Sequence, residues 1–332
     1  MKAALIGLGM VSGTYADALS KSETVGLGPI FARSREARER FTAEHGGMAA
    51  GSVEQIASDP FVDFAIVATP PNAREEIVRT LAEAQMPILM EKPVERTVEA
   101  AERIVALCED AGVPLGIVLQ HRARPVVADL RRVMPSLGTL RMVEVSVPWW
   151  RPQSYYDEPG RGTYARDGGG VLISQAIHTL DLTLSLTGPV AEVTALTATC
   201  GHRMEAEDFV SAGVQFENGA VGHLMATTAS YPGRGETITL HFAEGSARLE
   251  AGQLCVDRHD GTSETFGAAA TSGAGADPMA FTSDWHRAVI EDFANAVRNR
   301  RPPLVPGREA LDVHRLIAAL ERSGRNGRRV SV

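Results

Sequence analysis

The sequence predicts an α/β domain on a doubly wound parallel sheet, followed by an α+β domain with a large, mainly antiparallel open sheet. Three observations carry this. In the first third, continuous apolar runs of strand length (residues 3–6, 64–68, 88–90 and 115–118) alternate with segments of helical period, as in βαβ units whose strands are buried on both faces. Near residue 120 the pattern changes, and from Thr139 onward strands follow one another directly. Asn218-Gly219 then separates two strand-like runs, 214–216 and 221–224, as a two-residue hairpin signal. A chain of 332 residues exceeds one ordinary core, so two domains are expected, 1–120 and 121–332.

The elements follow in order. After the first strand a glycine turn opens a helix at 15–19. The second strand ends near 31–34, ahead of a helix at 36–41. In residues 98–111, Val98, Ala101, Val105 and Cys108 recur at helical spacing. Glu244-Gly245 and Ala251-Gly252 read as turns of an antiparallel meander. Residues 266–278, rich in Ala, Gly, Ser and Thr, read as a loop, and 285–297 return to helical period. Residues 172–186 form an almost wholly apolar helix on which Ser174, His178, Asp181 and Ser185 make one polar stripe, with Gln175 and Thr179 beside it.

Composition excludes several classes. A formal charge of -8 argues against nucleic acid and anionic membranes as general partners. Cys108, Cys200 and Cys255 are far apart and form no CxxC pair, so neither a disulfide framework nor a metal site is expected. The N-terminus lacks the h-region of a signal peptide, and no stretch approaches the roughly 20 apolar residues of a membrane span. A cytoplasmic protein is expected.

Four motifs carry chemistry. Gly7-Leu8-Gly9-Met10-Val11, between the first strand and first helix, suits a pyrophosphate resting on helix N-terminal amides; Ser12 takes the place of a third glycine. Arg33-Ser34 follows the second strand with no acid at its end, which favours the 2′-phosphate of NADP over the ribose hydroxyls of NAD; a surface arginine is the alternative. The turn Thr69-Pro70-Pro71-Asn72 leaves the 64–68 strand at the same edge. Glu91 and Lys92 then interrupt the apolar run MPILM before Pro93, where buried charge is expensive without a partner or a task. His178 on its apolar helix is either a structural pin or a functional group.

The glycine turn, Thr69-Pro70-Pro71, Glu91-Lys92-Pro93 and the run from Gly168-Gly169-Gly170 to His178 and Asp181 stand in the order and spacing of the glucose-fructose oxidoreductase, inositol dehydrogenase and MocA family, which the whole chain resembles through Arg301-Pro302-Pro303. The resemblance implies a Rossmann domain over 1–120 and a substrate-binding and oligomerisation domain over 121–332. It implies an NAD(P)-dependent oxidoreductase moving hydride between nicotinamide C4 and a secondary alcohol or ketone of a sugar, cyclitol or related polyol. Lys92 and His178 would be catalytic. Gly7, Leu8, Gly9, Met10, Val11, Arg33, Ser34, Thr69, Pro70, Asn72, Glu91 and Lys92 would hold NADP or NAD, with NADP favoured.

For the substrate the expected residues are Lys92, Gln120, Trp150, Arg161, Tyr164, Ser174, Gln175 and His178. The aromatic density of WWRPQSYYDEPGRGTY suits sugar stacking by Trp150, Tyr156 and Tyr164, with Arg151 and Arg161 for polar groups; an oligomer contact is the rival reading. Two departures stand out. Ser174 occupies the place of an aspartate that orients the histidine in many relatives, and Arg74 stands where relatives often have histidine. A homo-oligomer, dimer or tetramer, is expected. Rival activities are an NAD-dependent glycosidase on this fold and a non-catalytic dinucleotide-sensing regulator.

Overall fold

The computed structural model describes residues 1–270 and 273–332, in two compact units. The first comprises Met1–Ala123 and Ser283–Leu311. Its strands are β1 (Lys2–Ile6), β2 (Gly26–Phe31), β3 (Met48–Ala49), β4 (Phe64–Val67), β5 (Ile88–Glu91) and β6 (Leu115–Val118). They form a parallel sheet of order β3-β2-β1-β4-β5-β6, and the chain reverses direction across the sheet between β1 and β4. The β4, β5 and β6 strands are buried at every position, which is why they read as unbroken apolar runs. The connecting helices are α1 (Ser12–Ser20), α2 (Arg35–His45), α3 (Val53–Ala57), α4 (Glu75–Glu83) and α5 (Val98–Asp110). Ser34, Ser52 and Thr97 cap α2, α3 and α5, each accepting a hydrogen bond from a first-turn amide.

The expected division at residue 120 differs from these units. Helix α9 (Asp284–Asn299) belongs with the first sheet, because its apolar face (Val289, Ile290, Phe293, Ala294) completes that core. Phe293 meets Phe64 edge-on at 5.3 Å and fills the space beside Gly116, where a Cβ would come within 2.7 Å of its ring.

The second unit is Arg124–Thr282 with Asp312–Val332. It holds α6 (Pro125–Val133), β7 (Leu140–Pro148), α7 (Gln153–Tyr156), α8 (Ile177–Thr187), β8 (Val190–Ala198), β9 (Phe209–Phe216), β10 (Val221–Thr227), β11 (Thr237–Phe242), β12 (Gly245–Glu250), β13 (Gln253–Arg258), β14 (Ser263–Gly267), most of α10 (Gly307–Asn326) and β15 (Val330–Ser331). Nine strands run β14-β13-β12-β11-β7-β10-β9-β8-β15, antiparallel except where β7 meets β10. The Asn218-Gly219 turn joins β9 to β10 with Gly219 at φ +88°, and β9 alternates buried and exposed residues along its length. The β14 strand takes residues 266 and 267 of the expected 266–278 loop; Thr271 and Ser272 lie outside the described residues.

The expected continuous helix over 172–186 begins differently. Residues Leu172–Ala176 form a π-helical turn before α8 proper. Such a turn widens the helix, so Ser174 and His178 do not stand in the i, i+4 relation of a regular helix. Among the described residues no helix is long and apolar enough to cross a membrane.

A buried ion pair holds the second unit together at one end of its sheet. Arg124 Nη2 donates to Glu236 Oε1 at 2.6 Å, Trp149 Nε1 donates to Glu236 Oε2 at 3.2 Å, and Arg124 Nη1 donates to the Ala251 carbonyl. Both charged side chains are almost fully buried. Removing one partner strands a buried charge, so Glu236→Ala is expected to lower unfolding stability by about 3–5 kcal/mol in urea titrations.

Candidate active site

The glycine turn is built by crowding on one side and openness on the other. Gly7 sits at φ +105° after β1, its N–H donating to the Phe31 carbonyl (2.8 Å). A Cβ there would lie 2.6 Å from Ala68 C and 2.7 Å from Thr69 N, so only glycine allows the ends of β1 and β4 to meet. A Cβ on Gly9 would meet nothing within 4 Å. Helix α1 starts at Ser12 with no side-chain cap and no acid in its first turn; the Ser12 amide donates to the Gly9 carbonyl (3.1 Å), and the positive end of the helix suits an anion. Ser12, in the third-glycine place, is buried and donates to the Gly9 carbonyl (2.7 Å). Leu8 and Val11 pack against the core, while Met10 is exposed.

Arg33 and Ser34 lie just beyond β2, whose end pairs with that of β1. Arg33 is exposed; Ser34 caps α2 through the Ala37 amide (3.1 Å) and donates to Glu36 (2.8 Å). Beyond β4, Pro70 precedes a short 3-10 turn, Pro71–Ala73, that contains Asn72. The Thr69 hydroxyl oxygen is buried with no hydrogen-bond partner among the described residues. An open Gly9, uncapped amides and an orphaned hydroxyl along one sheet edge fit a dinucleotide.

At the end of β5 the charges have partners. Tyr15 donates its phenol to Glu91 Oε1 (2.7 Å), and the Lys92 backbone N–H donates to Oε2 (3.0 Å). His286 Nε2 lies 3.9 Å from Oε1, and its ring meets Tyr15 edge-on at 5.5 Å. Burial raises the Glu91 carboxyl above its ordinary value, while Lys92, the Tyr15 hydrogen bond and Arg74 pull it down. Both oxygens accept a donor and two cations stand near, the arrangement of an ionised carboxylate. Burial and then Lys92 push His286 down to about 4, so it is neutral at pH 7. Lys92 is half-buried.

Arg74 ties this edge together. Its guanidinium, fully buried, donates to the Thr69 carbonyl through Nε (3.0 Å) and Nη2 (2.8 Å), and through Nη1 to the carbonyls of Glu91 and Pro93, next to the cis Lys92-Pro93 peptide. Burial pushes its pKa down to about 10. At Gln120, in the 3-10 turn after β6, the side-chain oxygen is buried without a partner among the described residues.

In the second unit the π turn places Ser174 and Gln175. The single hydroxyl proton of Ser174 is shared between the Gly170 carbonyl and Gln175 Oε1 (2.6 Å), and Gln175 Nε2 donates to the Tyr155 phenol (3.4 Å). The Arg161 guanidinium lies 4.9 Å from the Tyr155 ring centre and is paired with Glu158. His178 follows on α8, buried, with Asp181 one turn further on. The opening of this helix is set by Glu207, whose carboxylate accepts from the amides of Gly170 (3.2 Å) and Leu172 (3.1 Å). A Cβ on Gly170 would fall 1.8 Å from the Glu207 carbonyl oxygen, which explains the glycine.

The aromatic segment is arranged as follows. Tyr156, expected to stack on a sugar, is buried, hydrogen-bonded to Thr228 (2.7 Å) and packed on His202. Trp150 packs on Tyr231 at 5.1 Å, and Arg151 is buried between the Trp149 and Tyr155 rings. Tyr164 is 40% exposed and bonds through its N–H to Glu205. Tyr15, His286, Tyr155 and Glu207 escape sequence reasoning. For Tyr155 the signal was its place beside Arg151 and Arg161 in an aromatic segment; a lone histidine in an amphipathic helix offered none. Among the described residues, no group of three or more His, Cys, Asp or Glu is placed to hold a metal ion.

Comparison with known proteins agrees with this geometry. Residues 1–118 match the oxidoreductase family with an NAD-binding Rossmann fold, and residues 134–248 match the Gfo/Idh/MocA C-terminal domain. The chain is 27% identical to a D-apiose dehydrogenase of Paraburkholderia graminis, covering 100% of this chain and 89% of that one. It is 30% identical to the myo-inositol dehydrogenase Hyg17 of Streptomyces leeuwenhoekii over 68% of this chain and 69% of the relative. The crystal structure of the WlbA dehydrogenase from Bordetella pertussis, in complex with NADH and UDP-GlcNAcA, superposes with a TM-score of 0.85 at 28% identity, covering 100% and 97% of the two chains. With both of its domains matched and its glycine turn and Glu91-Lys92-Pro93 edge formed, this chain belongs to the Gfo/Idh/MocA family of oxidoreductases.

Proposed function

We propose that this NAD(P)-dependent oxidoreductase acts on a secondary alcohol, or the matching ketone, of a sugar, cyclitol or related polyol. The observation that carries this is Lys92, a half-buried ammonium at the sheet edge that fits the dinucleotide, on a strand end locked by Glu91, Tyr15 and Arg74. The activities named for the apiose and inositol relatives support the substrate class. When bound, the nicotinamide supplies the hydride acceptor or donor. Lys92 stabilises the negative charge that develops on the substrate oxygen, and His178 takes up or returns the hydroxyl proton. With Ser174 in place of aspartate, no carboxylate at that position offsets an imidazolium, so proton exchange leans more on Lys92, on Asp181 or on the substrate. Gln120, whose side-chain oxygen is buried without a partner among the described residues, together with Trp150, Arg161, Tyr164, Ser174 and Gln175, provides hydrogen bonds and apolar faces for hydroxyl-rich rings.

NADP is the preferred cofactor in this reading, because the residue offered beyond β2 is the exposed Arg33 and no acid stands at the strand end. The working form is a homo-oligomer, dimer or tetramer, associated through the outward face of the nine-stranded sheet. Leu196, Val221 and Met142 expose apolar surface on that face. Three unpaired cysteines, one of them exposed, suit the reducing cytoplasm.

Three measurements test these points. With a polyol and aldose panel followed by nicotinamide absorbance, Lys92→Met lowers turnover by about a hundredfold or more while the thermal midpoint stays in place; near-normal turnover refutes the role. Arg33→Ala weakens NADP binding by about tenfold and leaves NAD unchanged, since one charge-assisted phosphate contact is lost. Unaltered NADP affinity removes the basis for the preference. In sedimentation velocity, Leu196→Asp shifts the protein toward monomer, and an unchanged oligomer rules out the sheet face.

A further inference from the structure

Behind Lys92 stands a set of groups that the reaction itself does not use. Glu91 is enclosed at the end of β5, and the titratable or charged groups facing it are Tyr15 from α1, His286 from α9, Arg74 ahead of α4 and Lys92 next in the chain, with Glu95 acting on Arg74. Each carboxylate oxygen is occupied, Oε1 by the Tyr15 phenol and Oε2 by the Lys92 amide. The phenol is held in place by the edge-on ring of His286, itself only 2% exposed. Because His286 is neutral, it adds no second cation beside Lys92. We propose that Tyr15, backed by His286, is a positioning residue that keeps Glu91 ionised beside Lys92 and thereby sets how tightly the Lys92 ammonium holds its proton. A hydroxyl donating to a carboxylate favours the ionised form, and a carboxylate fixed near an ammonium favours the charged amine. Removing the phenol therefore loosens the Lys92 proton by way of Glu91.

This inference rests on Lys92 as the working ammonium, but its test reads that ammonium without substrate, so a failed activity assay and a failed titration are separate results. The chain has only three lysines, Lys2, Lys21 and Lys92. Reductive methylation of the full chain with carbon-13 formaldehyde gives each a resolvable dimethylamine signal that keeps its charge, and the Lys92 signal is assigned by its loss in Lys92→Arg. Glu91→Gln is expected to lower the Lys92 titration midpoint by about one unit, because the ammonium loses the opposite charge that acts on it from the neighbouring residue. Tyr15→Phe lowers it in the same direction by a smaller amount, and adds nothing in the Glu91→Gln background. An unmoved midpoint in Glu91→Gln overturns the proposal, as does a Tyr15→Phe effect that persists without the carboxylate. Should Tyr15→Phe not fold, His286→Leu, which removes the ring backing the phenol, must lower the midpoint; no change there overturns the role of Tyr15.

Discussion

The guanidinium of Arg74 is the contact on which the candidate active-site edge depends. It is fully buried, and among the described residues it has no carboxylate within ion-pair distance; its donors go to main-chain carbonyls of Thr69, Glu91 and Pro93. Those carbonyls belong to two separate excursions of the chain, the turn after β4 and the end of β5. A planar fork of donors joins both at once, which an imidazole at that position cannot do. Burying such a cation is unfavourable in itself, and burial weakens its hold on its proton. The negative ends of the carbonyl dipoles and the nearby Glu91 carboxylate offset that penalty. What results is a rigid edge on which Thr69, Glu91 and Lys92 have fixed relative positions.

Much of this edge was legible in the sequence because its physics is local. Strands of a parallel sheet are buried on both faces, so β4, β5 and β6 stand out as unbroken apolar runs. Two charges at the end of such a run are conspicuous for the same reason. Gly7 was legible as a turn, although the nearest reason for it is the approach of Ala68 and Thr69 rather than a ligand. What escaped depends on contacts between distant segments. The apolar face of α9 announces burial without naming the sheet that covers it, and only the fit of Phe293 beside Gly116 assigns it to the first unit. Tyr155 and Tyr156 are neighbours in one short helix, and sequence spacing does not tell which phenol turns inward to Thr228 and which meets Gln175.

The start of the histidine-bearing helix shows the same limit. Apolar periodicity over 172–186 is compatible with a regular helix, yet the first five residues form a π turn. Glu207, far away in sequence, holds the residues at the start of this helix. Its carboxylate takes the amides of Gly170 and Leu172, and its backbone carbonyl accepts from Val171 while pressing so close to Gly170 that no Cβ fits. An acid at a helix N-terminus is favoured by the helix dipole. Burial nevertheless raises the Glu207 carboxyl, and the half-buried Glu321, desolvated and repelled by Glu207, is pushed up to about 7. Gly170 is therefore a packing requirement, and the wide turn that follows brings Gln175 to Tyr155 with Ser174 bonded to Gln175.

The choice of cation ties these points together. Of 33 lysines and arginines only three are lysines, and two of those, Lys2 and Lys21, are exposed. Where a buried cation serves architecture the chain uses arginine: Arg74 on carbonyls, Arg122 on Glu309, Arg124 on Glu236, Arg151 against aromatic rings. Arginine suits those tasks because its fork is rigid and its charge is nearly permanent. Lysine offers a compact ammonium whose proton affinity responds to its surroundings. A chain that spends arginine so freely on structure keeps its one half-buried lysine for the end of β5, next to the buried Glu91, where the proposed reaction calls for an adjustable charge.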